Sequence, residues 1–194
     1  MTQDQEMRLM MITADPGLAA AASEAGVDRV FVDLEFLGKT ERQGHLDTVI
    51  SRHTLADVES VRRVVGDGQL LVRVDPWHEG SAGQVEDVLG AGADMVMLPM
   101  FTTTEEVENF VCAVDGRART IGLVETPAAM ARLRSIARID GLDEVYFGLN
   151  DLHIALGLDF LFEVLAGGLV DLMAAEAKAA GKTFGFGGVS RVGH

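Results

Sequence analysis

The sequence predicts a single α/β domain built on a parallel sheet, and three observations carry that reading. Short, nearly continuous apolar runs recur along the chain, as strands buried on both faces require. Stretches with helical periodicity separate them. From the third run to the sixth, the starts recur about every 25 residues, the length of one strand–helix unit with short connections.

The first run, residues 7–13, stops at Asp15-Pro16, an N-cap and an N1 proline that open a helix over 17–25, which Gly26 closes. The second strand, 29–35 (RVFVDLE), is rich in β-branched and aromatic residues. Further strands are predicted at 69–74 (QLLVRV), 95–100 (MVMLPM), 120–124, 144–149 and 183–186, which makes seven. Helices are predicted over 55–65, 82–89, 104–114, 128–136 and 169–180. Two intervals are longer, 36–54 after the second strand and 153–168 after the sixth. Both follow strand C-termini and are expected to overhang one rim, where long loops act as lids or oligomer contacts. The apolar segment LDFLFEVL in the second interval reads as an interface.

A complete eight-stranded barrel takes about 250 residues. The 194 residues supply seven units as one domain over 1–194, so either the sheet is open or it is a barrel that lacks its eighth unit in this chain. Sixteen basic and 30 acidic residues set a net charge of −14, which argues against a nucleic-acid partner. No apolar run approaches bilayer length, and MTQDQEMR lacks the basic-then-apolar pattern of a signal peptide. A soluble cytoplasmic protein without a membrane partner is expected. Cys112, the lone cysteine, cannot form an internal disulfide, and its setting in VENFVCAV predicts a small buried hydrophobe.

Two strands end at acids. The fifth runs straight into Glu125, followed by Thr126-Pro127 as an N-cap and N1 proline; the sixth is followed by Asn150, expected to cap a short helix beginning at Asp151. In a parallel sheet both carboxylates emerge at the same C-terminal rim, where active sites of such folds collect. On rigid strand ends they suit Mg²⁺ or Mn²⁺; the alternative is a pair of solvated loop acids or caps. Arg73, a charge inside the apolar strand LVRV, needs a partner: an anionic ligand, or Asp33 or Glu35 on the neighbouring strand. Asp33 and Glu35 share one strand face and can orient Arg73 or a metal's water. Gly148, Leu149 and Asn150 offer backbone amides at a helix start to a carboxylate. For a general base the candidates are His45, His53, His78 and His153, with His53 preferred at the entrance of the helix in SRHTLADV. The run Gly185 to Gly188 reads as a phosphate corner or a place of tight packing.

Taken in order, VDLE, LVRVDP, GADMVMLPM, LVETPAAM and FGLNDLH resemble the HpcH/HpaI aldolase and citrate lyase β-subunit family of the phosphoenolpyruvate/pyruvate-binding TIM barrels, over nearly the whole chain. The resemblance implies a parallel (β/α)8 TIM barrel without its eighth unit, and a metal-dependent carbon–carbon lyase working through a pyruvate-like enolate of a small 2-oxo acid. It places the metal on Glu125 and Asp151, the enolate-binding arginine on Arg73 and the carboxylate-binding backbone on Gly148 to Asp151. A homo-oligomer is implied as well. Aldolases of the family place a histidine after the acid that ends strand two; this chain has Phe36 there. Two other readings are an acyl-CoA lyase of the citryl- or malyl-CoA type and a non-catalytic barrel subunit that binds a 2-oxo acid.

Overall fold

A computed structural model describes residues 7–38 and 53–188. Seven strands form one sheet in sequence order: β1 (Met10–Ile12), β2 (Arg29–Asp33), β3 (Leu70–Arg73), β4 (Met95–Leu98), β5 (Arg119–Val124), β6 (Glu144–Gly148) and β7 (Thr183–Gly187). Every neighbouring pair is parallel. The helices are α1 (Pro16–Glu24), α2 (Leu55–Arg62), α3 (Ser81–Gly90), α4 (Thr104–Val114), α5 (Pro127–Ile136), α6 (Leu149–Leu156), α7 (Glu163–Ala166) and α8 (Leu169–Ala179). The expected parallel α/β sheet is therefore present, curled as in a TIM barrel that lacks one unit.

Strand alternation sorts the side chains into two cores. Val30, Val32, Leu70, Val72, Val96, Leu98, Val145 and Phe147 face the helices and pack with Val58, Val61, Phe110 and Leu133. Phe31, Leu71, Met95, Met97, Ile121 and Leu123 face the other way and form a second cluster inside the curl, with Met10 and Tyr146 against it. The same parity carries Arg29, Asp33, Arg73, Arg119, Glu125 and Glu144 to the inner side. The interior is thus apolar at mid-height and polar at both ends.

At the N-terminal end, Arg29 donates to both oxygens of Glu144 at 2.7 Å, joining β2 to β6 although the two strands are not neighbours in the sheet. Arg119 adds a third bond to Glu144 at 3.0 Å. Only a curled sheet brings these strands face to face. With both partners 8 % exposed, the bidentate geometry offsets the cost of removing the charges from water.

Several local expectations change. The first strand covers three residues instead of seven: Leu9 already turns its amide to Asp28 Oδ2 at 2.7 Å, and the ladder starts at Met10. Cys112 is exposed, because Val107, Phe110 and Val114 occupy the buried stripe of α4 and Cys112 lies well round the helix from Phe110. Gly148, and not Asn150, is the N-cap of α6: β6 passes into the helix without a loop, leaving the helix start without a side-chain cap. Gly185 and Gly187 serve packing, since a Cβ at either would lie 2.6 Å or 2.9 Å from Tyr146. The segment 158–166 leads into the short α7, with Val164 buried and Phe160, ahead of the helix, exposed. No helix among the described residues is long and apolar enough to cross a membrane. Most of the first long interval, with His45, lies outside the described residues.

Candidate active site

The C-terminal rim gathers four of the acids and the arginine singled out above. Arg73 ends β3 in register with Asp33 at the end of β2. Its Nε donates to Asp33 Oδ1 at 2.8 Å and its Nη2 to Asp33 Oδ2 at 2.9 Å, while Nη2 also meets Glu35 Oε2 at 3.2 Å. The guanidinium lies over the Phe31 ring, 5.5 Å from its centroid. Burial alone disfavours the cation, but Asp33, Glu35 and Glu125 outweigh it and hold Arg73 above its ordinary value. Among the described residues no acceptor bonds to Nη1.

Glu125 follows β5 and is 3 % exposed. Thr126 fixes the turn by donating to the Phe101 carbonyl at 2.9 Å and accepting from the Ala129 amide at 3.0 Å, so the strand passes into α5 with no slack. The Met100 amide donates to Glu125 Oε1 at 3.1 Å. Met100 makes that bond with φ at 55°, a left-handed conformation uncommon for a residue with a side chain, so the loop after β4 is held in a sparsely populated state beside the carboxylate. Gly148 makes room for the other oxygen: a Cβ there would sit 2.7 Å from Oε2. Burial pushes Glu125 up to about 8; Arg73 opposes this, and the negative charges of Asp151 and Glu35 add to it.

Asp151 lies in the first turn of α6, at the positive end of the helix dipole. Glu125 and Asp151 line a common pocket of about 160 Å³ with Met100, Thr126, Pro127, Ile154 and Ala155. Two carboxylates facing one open space, one of them raised by burial and by its acidic neighbours, form an all-oxygen donor set that fits a hard divalent cation with positions left for water or ligand. Among the described residues no group of three or more histidine, cysteine, aspartate or glutamate side chains is placed to hold a metal, and Glu125 and Asp151 are the two carboxylates that line the pocket. Leu149 is buried in the helix-side core, so its backbone and that of Asn150 are what the helix start presents.

His53 comes to the same corner. Its Nδ1 accepts the Asp33 amide at 3.0 Å, which places the neutral ring's hydrogen on Nε2. His78 is spent locally, accepting the Gly80 amide at 3.0 Å in the turn before α3. His153 Nδ1, on α6, is buried and has no hydrogen-bond partner among the described residues. Phe36 is 68 % exposed. Residues that sequence reasoning passed over also shape the rim. Asp75 Oδ1 accepts the amides of Phe36 and Leu37 at 2.7 and 2.8 Å and pins the start of the long segment after β2, and Gln84 holds Asp75 in turn. The aspartate of LVRVDP was the available signal for that clamp.

Comparison with known proteins follows this geometry. No protein of curated function matches the sequence. A crystal structure of an HpcH/HpaI aldolase from Desulfitobacterium hafniense DCB-2 superposes with a TM-score of 0.74 at 19% identity, covering 96% of this chain and 79% of that one. The citrate lyase beta subunit from M. tuberculosis, complexed with oxaloacetate and magnesium, gives 0.66 at 22% identity, over 92% and 76%. An HpcH/HpaI aldolase/citrate lyase family protein from Burkholderia cenocepacia J2315 gives 0.73 at 20%, over 92% and 77%. The family model for HpcH/HpaI aldolase/citrate lyase matches residues 7–160, from β1 through the site residues of α6, and the chain belongs to that family.

Proposed function

We propose that the protein is a divalent-metal-dependent carbon–carbon lyase that cleaves a hydroxy-oxo acid in retro-aldol fashion to a pyruvate-like enolate and a carbonyl fragment. The observation that carries this is the convergence of Glu125 and Asp151 on one pocket beside the buried Arg73. Glu125 and Asp151 would hold Mg²⁺ or Mn²⁺, which supplies Lewis-acid stabilisation of negative charge on the substrate's keto oxygen. Arg73 is fixed by Asp33 and Glu35 on its Nε and Nη2 edges, so its remaining nitrogen is oriented in advance toward the enolate oxygen or the carboxylate. The amides of Leu149, Asn150 and Asp151, at a helix start without a side-chain cap, take the substrate carboxylate.

The hydrogen bond at His53 bears on its role. With Nδ1 accepting from the Asp33 amide, the basic nitrogen of His53 is engaged, so the base in the cleavage direction is assigned to a carboxylate, for which Glu35 beside Arg73 is the candidate.

The test is calorimetric titration of metal-stripped protein with Mn²⁺, with and without oxalate, an unreactive mimic of the enolate, repeated on Glu125→Ala. Oxalate binding that needs both Mn²⁺ and Glu125 supports the reading. Absence of binding in a folded sample overturns it.

A further inference from the structure

Met100 keeps a left-handed backbone without being a glycine, and the residues on either side of it hold it there. Before it, Leu98 is paired in β4 and the ring of Pro99 fixes its own φ. After it, the Phe101 side chain is fully buried and the Phe101 carbonyl accepts the Thr126 hydroxyl at 2.9 Å. Glu106 Oε2 then accepts the amides of Thr102 and Thr103 at 2.7 and 2.8 Å and locks the entry to α4. The loop is anchored on both sides of Met100, so its surroundings sustain a backbone state that costs free energy for any residue bearing a Cβ.

That state has a product. With φ at 55°, the Met100 amide reaches Glu125 Oε1 at 3.1 Å, and Met100 forms part of the wall of the pocket that Glu125 lines. Gly148 brings the end of β6 against the other oxygen, Oε2. The carboxylate is thus placed from both neighbouring strands of β5, by an amide donor after β4 and by bare backbone at the end of β6. Resting on the metal-site reading above, we propose that Met100 is a positioning residue for the cation, whose left-handed backbone holds the Glu125 carboxylate in the orientation that receives it. Met100 acts through the direction of its amide rather than through its thioether. Groups that hold a metal ligand from behind typically govern affinity by about ten- to a hundredfold.

Substitutions at position 100 separate backbone from side chain. Mn²⁺ calorimetry is run on the whole metal-stripped protein, with urea unfolding on the same samples to establish that each is folded. Met100→Val, whose β-branched side chain opposes a left-handed φ, is expected to bind Mn²⁺ about tenfold or more weakly. Met100→Gly and Met100→Asn discard the thioether but adopt that φ readily, and are expected to bind within roughly threefold of the unmodified protein. A merely structural turn would lower the urea midpoint of Met100→Val without moving the affinity of the folded protein, and that result overturns the inference. A loss of about tenfold in either Met100→Gly or Met100→Asn overturns it too, and this arm needs no β-branched variant to fold. Failure of the unmodified protein to bind Mn²⁺ removes the metal-site reading, and this inference with it.

Discussion

Gly148→Ala is a one-carbon probe of the site. The added methyl would stand 2.7 Å from Glu125 Oε2, 2.8 Å from Glu125 Cβ and 3.4 Å from a Leu123 methyl. Gly148 has φ at −84°, which alanine adopts without strain, so the whole effect comes from the collision. Glu125 is buried, and its other oxygen is held by the Met100 amide at 3.1 Å, so it yields only by losing that bond or by pushing β6 from β5. Overpacking of this kind costs about 1–3 kcal/mol. A displaced ligand carboxylate weakens metal binding tenfold for each ~1.4 kcal/mol lost. Gly122→Ala on β5 is the control: its Cβ would meet the Phe101 ring at 3.4 Å and Leu142 at 3.6 Å, near ordinary contact, and a change within about 1 kcal/mol is expected. Urea unfolding reads stability, and Mn²⁺ calorimetry reads the site. If Gly148→Ala matches Gly122→Ala in both measurements, the placement of Glu125 over Gly148 is wrong.

The other predictions concern the charged clusters, a cap and the metal. Arg73→Met removes the guanidinium that Asp33 and Glu35 share in their buried cluster and is expected to cost about 3–5 kcal/mol in urea unfolding; an unchanged midpoint would dismiss the cluster as an energetic unit. Thr126→Ala removes a helix cap and a bond to the Phe101 carbonyl together, for about 1–2 kcal/mol by the same assay. Burial pushes Glu144 up, but the bonds from Arg29 and Arg119 prevail and hold it below the ordinary glutamate value in the folded chain. The unfolded state therefore takes up the proton first, so this contribution is complete above about pH 4.5 and is lost as pH falls through the lower folded value. Glu144→Gln should accordingly flatten the acid limb of the stability–pH curve, read by urea midpoints from pH 7 downward. Mg²⁺ at a hundredfold excess over its dissociation constant should add about 2.7 kcal/mol of stability, and Glu125→Ala should abolish the gain in a thermal-shift assay with and without chelator.

The strands were legible because parallel sheets bury both faces and so write themselves as unbroken apolar runs, with chemistry only where a run stops. Glu125, Asp151 and Arg73 stood out for that reason, as charges at or inside such runs. Position parity also foretold that Asp33 and Glu35 share one strand face, since they alternate with Val32 and Leu34. What stayed hidden depends on tertiary contacts. The left-handed turn at Met100 has none of the glycine or asparagine that marks one, because the bond to Glu125 enforces it. The start of α6 at Leu149 misled a cap-based reading, since Asn150 looks like a cap but lies inside the helix. Cys112 sits among apolar neighbours in sequence, yet α4 turns it outward. The tie of His53 to the Asp33 amide spans a 20-residue separation that no local pattern records.

The bridge from Arg29 to Glu144 bears on the order in which the chain assembles. Its partners are 115 residues apart in sequence, whereas each strand finds its sheet neighbour within one unit. Local pairing can therefore zip the sheet strand by strand, while Arg29, destined for a position 8 % exposed, keeps its water until β6 exists. Desolvating it earlier would bury an unpaired cation, so curling of the sheet is deferred to the arrival of Glu144. Partly made chains stay flatter, with their inner apolar face in solvent, and during synthesis that is the form in which they are exposed to aggregation.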